Sequence, residues 1–160
     1  MTDKQIPAGT GLVMLGCPQI PIQTSAALYL VHRLRKAGIA TTVAGTKAAR
    51  SLLEVADPER AYLDEVIDLD ACIGMVAEHE RDFDLCFVFV HNDAGIAYSA
   101  SMAAMSGGGV YAVIFGGSAE EILAQMDEIP CEKIIAKGSH NPLPMKRKLD
   151  EVLQWVVSNR

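Results

Sequence analysis

The stretch Leu85-Cys86-Phe87-Val88-Phe89-Val90-His91-Asn92-Asp93-Ala94-Gly95 decides how this chain is read. Six apolar residues, rich in β-branched and aromatic side chains, give way at once to three polar ones. An unbroken run of that kind fits a strand buried on both faces, at the centre of a parallel sheet. His91, Asn92 and Asp93 then fall where the strand ends and the next helix starts. In an open α/β sheet, ligands bind along that carboxyl edge.

Upstream, Gly11-Leu12-Val13-Met14-Leu15-Gly16 reads as a second compact strand, ended by Cys17-Pro18 and Pro21. A helix is predicted over 22–36, because Ala26, Ala27, Leu30, Val31, Leu34 and Ala37 recur at steps of three and four. Arg33, Arg35 and Lys36 suit its C-terminal dipole, and Gly38 stops it. A strand at 39–44 follows, then a helix capped by Thr46 and broken at Asp57-Pro58. Residues 65–68 can form a short edge strand, and Asp70 is the expected cap of a helix over 71–80.

Downstream, a helix over 94–105 carries many small residues and ends at Gly107-Gly108-Gly109. Val110 to Phe115 is another buried strand. Ser118-Ala119-Glu120-Glu121 has capping-box spacing for a helix to about Ile129. A last strand over 132–137 precedes a helix with Asn141 at N-cap, Pro142 at N1 and Leu149, Val152, Leu153 and Val156 on its apolar face.

Strands and helices alternate throughout, which predicts a three-layer α/β/α fold, Rossmann-like or flavodoxin-like, with a mainly parallel sheet of five to six strands. With strand 65–68 in the sheet the expected order is 3-2-1-4-5-6; without it, 2-1-3-4-5. Both orders set strand 11–16 beside strand 85–90 at the topological switch point. The chain reads as a single α/β domain over 1–160, with 1–10 a loose leader.

Bulk properties narrow the function. Half of the 160 residues are apolar, mean hydropathy is +0.20, and net charge is −6 with a pI near 5.1. That balance argues against nucleic acid and anionic membrane as partners, since both need a basic face. The first eleven residues lack the apolar core of a signal peptide, and no window approaches the roughly 20 apolar residues of a membrane helix. A cytoplasmic protein is expected, with Cys17, Cys72, Cys86 and Cys131 as reduced thiols. No Cys-x-x-Cys occurs, so zinc-ribbon and thioredoxin-like readings have no support.

In a parallel sheet the carboxyl edge gathers Gly16-Cys17-Pro18-Gln19, His91-Asn92-Asp93, Gly116-Gly117-Ser118 and Ser139-His140-Asn141. Each turn leads into a helix, whose free N–H groups favour anions, and the glycines allow close approach. The expected ligand is a small anionic molecule, held by Gly16, Cys17, Gln19, His91, Asn92, Asp93, Gly116, Gly117, Ser118, Ser139 and His140. Asn92, Asp93, Ser118 and Asn141 have capping as their ordinary alternative. Gly116-Gly117 has a plain tight turn, and His140 a surface position.

Cys17 and His91 are the candidates for catalysis. An imidazole suits proton transfer near neutrality, and Asp93 could orient it, although a spacing of two residues does not establish a hydrogen bond. A thiol at a helix N-terminus favours thiolate, and a Cys17–His91 pair across the switch point is geometrically conceivable. Cys17, His91, Asp93 and His140 are also metal-ligand types, but without ligand spacing no metal is assigned. Gly-x-Gly-x-x-Gly, a Walker loop and Gly-x-Ser-x-Gly are all absent, which removes ordinary dinucleotide, P-loop and serine-hydrolase readings and leaves the cofactor unknown.

At Gly16-Cys17-Pro18, His91-Asn92-Asp93-Ala94-Gly95, Phe115-Gly116-Gly117 and Lys137-Gly138-Ser139-His140-Asn141-Pro142 the chain resembles a family of small uncharacterised α/β proteins from methanogenic archaea, a domain of unknown function. The likeness covers nearly the whole chain. It implies a Rossmann-like fold in a cytosolic archaeal protein, and no activity to carry over. A weaker similarity to cobalamin-binding domains fails at the first turn, which has no histidine. A sulfur-relay fold is supported only by Cys17. Three functions stand at this point: binding of a small anionic metabolite or cofactor, an enzyme using Cys17 and His91, and a subunit or scaffold whose apolar helix faces meet partners, with a homodimer possible.

Overall fold

The computed structural model describes residues 9–158. Its sheet has six strands in the order β3-β2-β1-β4-β5-β6. In chain order these are β1 (Gly9–Leu15), β2 (Ile39–Gly45), β3 (Glu65–Asp68), β4 (Leu85–Val90), β5 (Gly109–Ile114) and β6 (Glu132–Ile135). Every neighbouring pair is parallel. The helices are α1 (Ile22–Lys36), α2 (Lys47–Ala56), α3 (Leu69–Ala77), α4 (Asp93–Met105), α5 (Ala119–Gln125) and α6 (Leu143–Ser158). The short segment 65–68 does join the sheet, so the six-strand order holds and the five-strand order falls.

Side-chain alternation explains why β1 and β4 carry no polar residue in their middles. Val13, Leu15, Phe87 and Phe89 point into one apolar layer with α1, α2 and α6. Leu12, Met14, Cys86, Val88 and Val90 point into the other, with α3, α4 and α5. Successive residues of a strand face opposite ways, so a strand covered on both sides must be apolar at every position. Each such side chain contributes about 1.5–3 kcal/mol on burial. β1 pairs with both β2 and β4, Val13 standing between Val43 and Phe87. The chain's switch point is therefore the β1–β4 seam.

Several local expectations need correction. The leader predicted over 1–10 lies mostly outside the described residues; Gly9 and Thr10 are not part of it, because they pair with Ile39 and Ala40 in β1. Asp70 does not cap α3: Asp68 accepts from the Ala71 N–H, two residues earlier than expected. The predicted capping box at Ser118 does not form, since that side chain makes no cap bond and the residue is not extended. Asn141 accepts from the Leu143 N–H at 3.1 Å, and α6 begins at Leu143, one residue later than expected. Thr46 and Asn92 do cap α2 and α4, through the N–H groups of Ala49 and Gly95.

Two glycines mark close backbone approaches, one between helix and strand and one between two turns. A Cβ on Gly95 would lie 2.8 Å from Val90 Cα, so α4 rests directly on the end of β4. A Cβ on Gly108 would lie 2.0 Å from the Phe83 carbonyl oxygen.

Candidate functional site

The four polar turns meet at the carboxyl edge, each through a specific contact. His91 follows β4, and its Nε2 lies 2.8 Å from the Cys17 carbonyl oxygen, across the β1–β4 seam. A Cβ on Gly116 would touch both Ile20 and the His91 Cβ, which places the turn after β5 beside the other two. Gly116 N–H donates to Gly138 O at 2.9 Å, joining the turns after β5 and β6. Ser139 O in turn accepts from the Ile22 N–H at 3.1 Å, at the start of α1. Gly116 and Gly138 have φ of +95° and +117°, so this clasp needs glycine on both sides.

The His91 contact determines where the ring's proton sits. A carbonyl oxygen only accepts, so Nε2 must carry the hydrogen, and Nδ1 is the acceptor of the neutral ring. The ring also packs 5.4 Å from that of Phe115. Its partner is the Cys17 backbone. In this geometry neither the Cys17 thiol nor the Asp93 carboxylate is hydrogen-bonded to His91. Cys17 is exposed and stands five residues before α1, behind Pro18 and Pro21, so the thiol is not seated on the helix end.

The supply of N–H groups is uneven. Ile22 N–H is taken by Ser139 O, and Gly95 N–H by the Asn92 side chain. Asp93 adds a negative charge in the first turn of α4. Among the described residues, by contrast, the N–H groups of Gly117, Ser118, Ser139 and His140 have no partner within the chain. All four lie on the two turns that the Gly116–Gly138 clasp holds together. Gln19 is exposed, and its N–H closes a tight turn on Cys17 O at 2.9 Å.

The profile of a family described as "Domain of unknown function (DUF1890)" matches residues 12–152. The chain belongs to the DUF1890 family. It is 31% identical over 145 residues to the uncharacterised protein MJ0452 of Methanocaldococcus jannaschii, covering 89% of this chain and 95% of that one. A solved structure titled "Structure of MT0777", also from a methanogen, is 37% identical, with a TM-score of 0.84 over 91% of this chain and 97% of its own. The fold and the family resemblance read from the turns are thus shown.

Gln23 is a residue of this DUF1890 chain that the sequence reading passed over. It is 1% exposed, and its Nε2 donates to Gly16 O at 3.0 Å under the first turn. Its Oε1 is buried without a hydrogen-bond partner. The signal was present: Gln23 occupies the buried phase of α1, three and four residues before Ala26 and Ala27. Thr46 reaches the same carbonyl at 3.4 Å, and Tyr98 lies against Gly16 from α4. Among the described residues no group of three or more His, Cys, Asp or Glu is placed to hold a metal ion. Nor is any described helix long and apolar enough to cross a membrane.

A hollow of about 760 Å³ lies elsewhere, between α1 and α6, lined by Tyr29, His32, Arg33, Lys36, Asp150 and Leu153 among others. Asp150 there accepts from Tyr29 at 2.5 Å and from Lys146 at 3.0 Å, and pairs with Arg33. Its carboxylate already holds two of the nearby cations, so this cluster ties the two helices together.

The four cysteines of this chain differ sharply in environment. Burial pushes the Cys72 thiol up to about 11, and pushes Cys86 and Cys131 up as well. Cys17 alone is exposed. Maleimide applied to the native protein at neutral pH is expected to modify Cys17 first and Cys131 slowly, sparing Cys72 and Cys86 until denaturant is added. Peptide mass mapping reads the order, and early labelling of Cys72 or Cys86 would contradict it.

Proposed function

We propose that this protein binds a small anionic metabolite or cofactor at the carboxyl edge of the sheet, over the β1–β4 seam and the turns after β5 and β6. The observation that carries this reading is the clasp of Gly116 on Gly138, with the unpartnered N–H groups of Gly117, Ser118, Ser139 and His140 beside it. Successive backbone N–H groups on glycine turns form anion-binding concavities. Cys17, Gln19 and His91 border the same edge, with Gly16 beneath, so the anion's remaining atoms lie over the seam.

Thermal-shift titration with inorganic phosphate, nucleotides and tetrapyrroles tests the reading. Wild type is expected to gain stability with one of these anions in a saturable way. Gly117→Asp is expected to remove that gain: nothing lies within 4 Å of a Cβ there, so the fold tolerates the change while a carboxylate enters the anion's place. A response equal in both proteins, or none in wild type, sinks the proposal.

A second reading, acid–base chemistry, has one observation in its favour. The imidazole of His91 is held by Cys17 O with Nδ1 left as acceptor, as a positioned general base requires. Cytoplasmic residence accords with four cysteines that form no disulfide.

A further inference from the structure

α2 turns Ala49 and Leu53 into the core, yet its outer surface is also apolar. Ala48, Ser51, Leu52 and Val55 are all exposed, Leu52 at 45% and Val55 at 80%. At roughly 100° per residue, Val55 lies almost directly along the helix from Ala48, with Leu52 to one side. Lys47 and Glu54 lie together on the other side. Single exposed apolar residues are ordinary, but a stripe with a charged flank has the composition of a helix contact.

The two flanking charges are placed the wrong way round for an isolated helix. Lys47 is the first residue of α2, at the positive end of the dipole, and Glu54 stands in the last turn, at the negative end. No acidic residue occupies the first turn and no basic residue the last. Among the described residues neither Lys47 nor Glu54 has an ion-pair partner. An antiparallel neighbour reverses the sign at each end, bringing a helix C-terminus to Lys47 and an N-terminus to Glu54.

We propose that α2 takes a second copy of this chain, α2 against α2, antiparallel about a two-fold axis near Ser51. In that register Lys47 meets the second copy's Glu54, and the exchange is reciprocal, as a closed two-fold contact requires. Val55 then sits over the small Ala48 of the other copy, and the two Leu52 side chains approach each other across the axis. Ser51 at the centre is small enough to let the helices close.

A ten-residue helix is about 15 Å long, so the interface is small and the dimer belongs to the weak, concentration-dependent class. Sedimentation equilibrium on the full chain, across a wide concentration series, is expected to show a reversible monomer–dimer equilibrium in the micromolar range. Val55→Lys abolishes the dimer. Lys47→Glu weakens it roughly tenfold, since two ion pairs become two repulsions. Lys47→Glu also improves the dipole match of the isolated helix, so an unfolded monomer does not explain that loss. The double variant Lys47→Glu/Glu54→Lys restores dimerisation to within about threefold of wild type, because the pairing is remade with its signs exchanged. The proposal is overturned if wild type stays monomeric throughout. It is equally overturned if Val55→Lys leaves a dimer intact, or if the double variant dimerises no better than Lys47→Glu.

Discussion

Gly108→Ala is expected to cost about 3–5 kcal/mol or to prevent folding, the largest effect of any single methyl added to this chain. The turn from α4 into β5 lies flat on the turn that leads into β4. Gly109 N–H donates to Asp84 O at 2.9 Å, Gly107 N–H to the Asp82 carboxylate at 2.8 Å, and the Ser106 hydroxyl to the same carboxylate at 2.6 Å. A Cβ at 108 would meet Phe83 O at 2.0 Å and Asp84 O at 2.7 Å, both backbone atoms that no rotamer change can move. Relief requires β4 and β5 to separate at their starts. Gly107→Ala meets only an ordinary contact of 3.4 Å and should be mild. Gly74→Ala, in the open interior of α3, should stabilise by about 0.5–1 kcal/mol. Urea denaturation of the three variants checks the ranking, and a Gly108→Ala protein as stable as Gly107→Ala would refute the close-approach argument.

That glycine run shows what periodicity conveys and what it omits. Three glycines after an Ala- and Met-rich helix announce a stop, and the helix does stop at Met105. Why the middle one has to be glycine depends on Phe83, more than twenty residues upstream, and no local pattern contains that contact. The same division runs through the fold. β1, β4 and β5 were readable because a strand buried on both faces has no polar interruption. β3 was marginal in sequence because an edge strand is half exposed and need not be apolar. The cap of α3 lies two residues before the expected one because Asp68 and Asp70 are both competent acceptors, and the extended backbone at Asp68 decides between them.

At the candidate site, topology carried further than chemistry. A parallel sheet obliges its carboxyl-edge turns to converge, and the residues after β1, β4, β5 and β6 do so. What they do to one another depends on backbone partners that sequence does not display. His91 finds the Cys17 carbonyl and not the thiol, and Ser139 spends its carbonyl on α1. The helix ends over β1 and β4 are thereby largely filled, which moves the weight of the anion reading onto the β5 and β6 turns.

Asp57→Ala is the second large expected loss, a fall of about 5–10 °C in the unfolding midpoint at neutral pH. Asp57 is 4% exposed, and its carboxylate accepts the N–H groups of Ala61, Tyr62 and Leu63 at 2.7, 2.9 and 2.9 Å. Those donors belong to the loop between α2 and β3, so truncation frees the segment that positions the edge strand. Burial alone raises this carboxyl, but the three N–H groups and the Arg35 charge outweigh it and hold the group below the usual range. Asp82 behaves alike: burial raises it, and Ser106, Gly107, Phe83 and His79 together lower it further. A carboxyl depressed in the folded state contributes fully above its unfolded pKa of about 3.9 and loses that contribution as pH falls through the folded value. Stability should therefore change little from pH 7 to about 5 on account of these groups, then decline steeply below about pH 4. In Asp57→Asn the neutral amide stands where the protonated acid would, so the gap to wild type should be widest at neutral pH and close as pH falls. Urea midpoints for both proteins from neutral to acid pH read that gap directly. A gap that stays constant, or widens toward acid, would mean that the charge on Asp57 does not hold the loop.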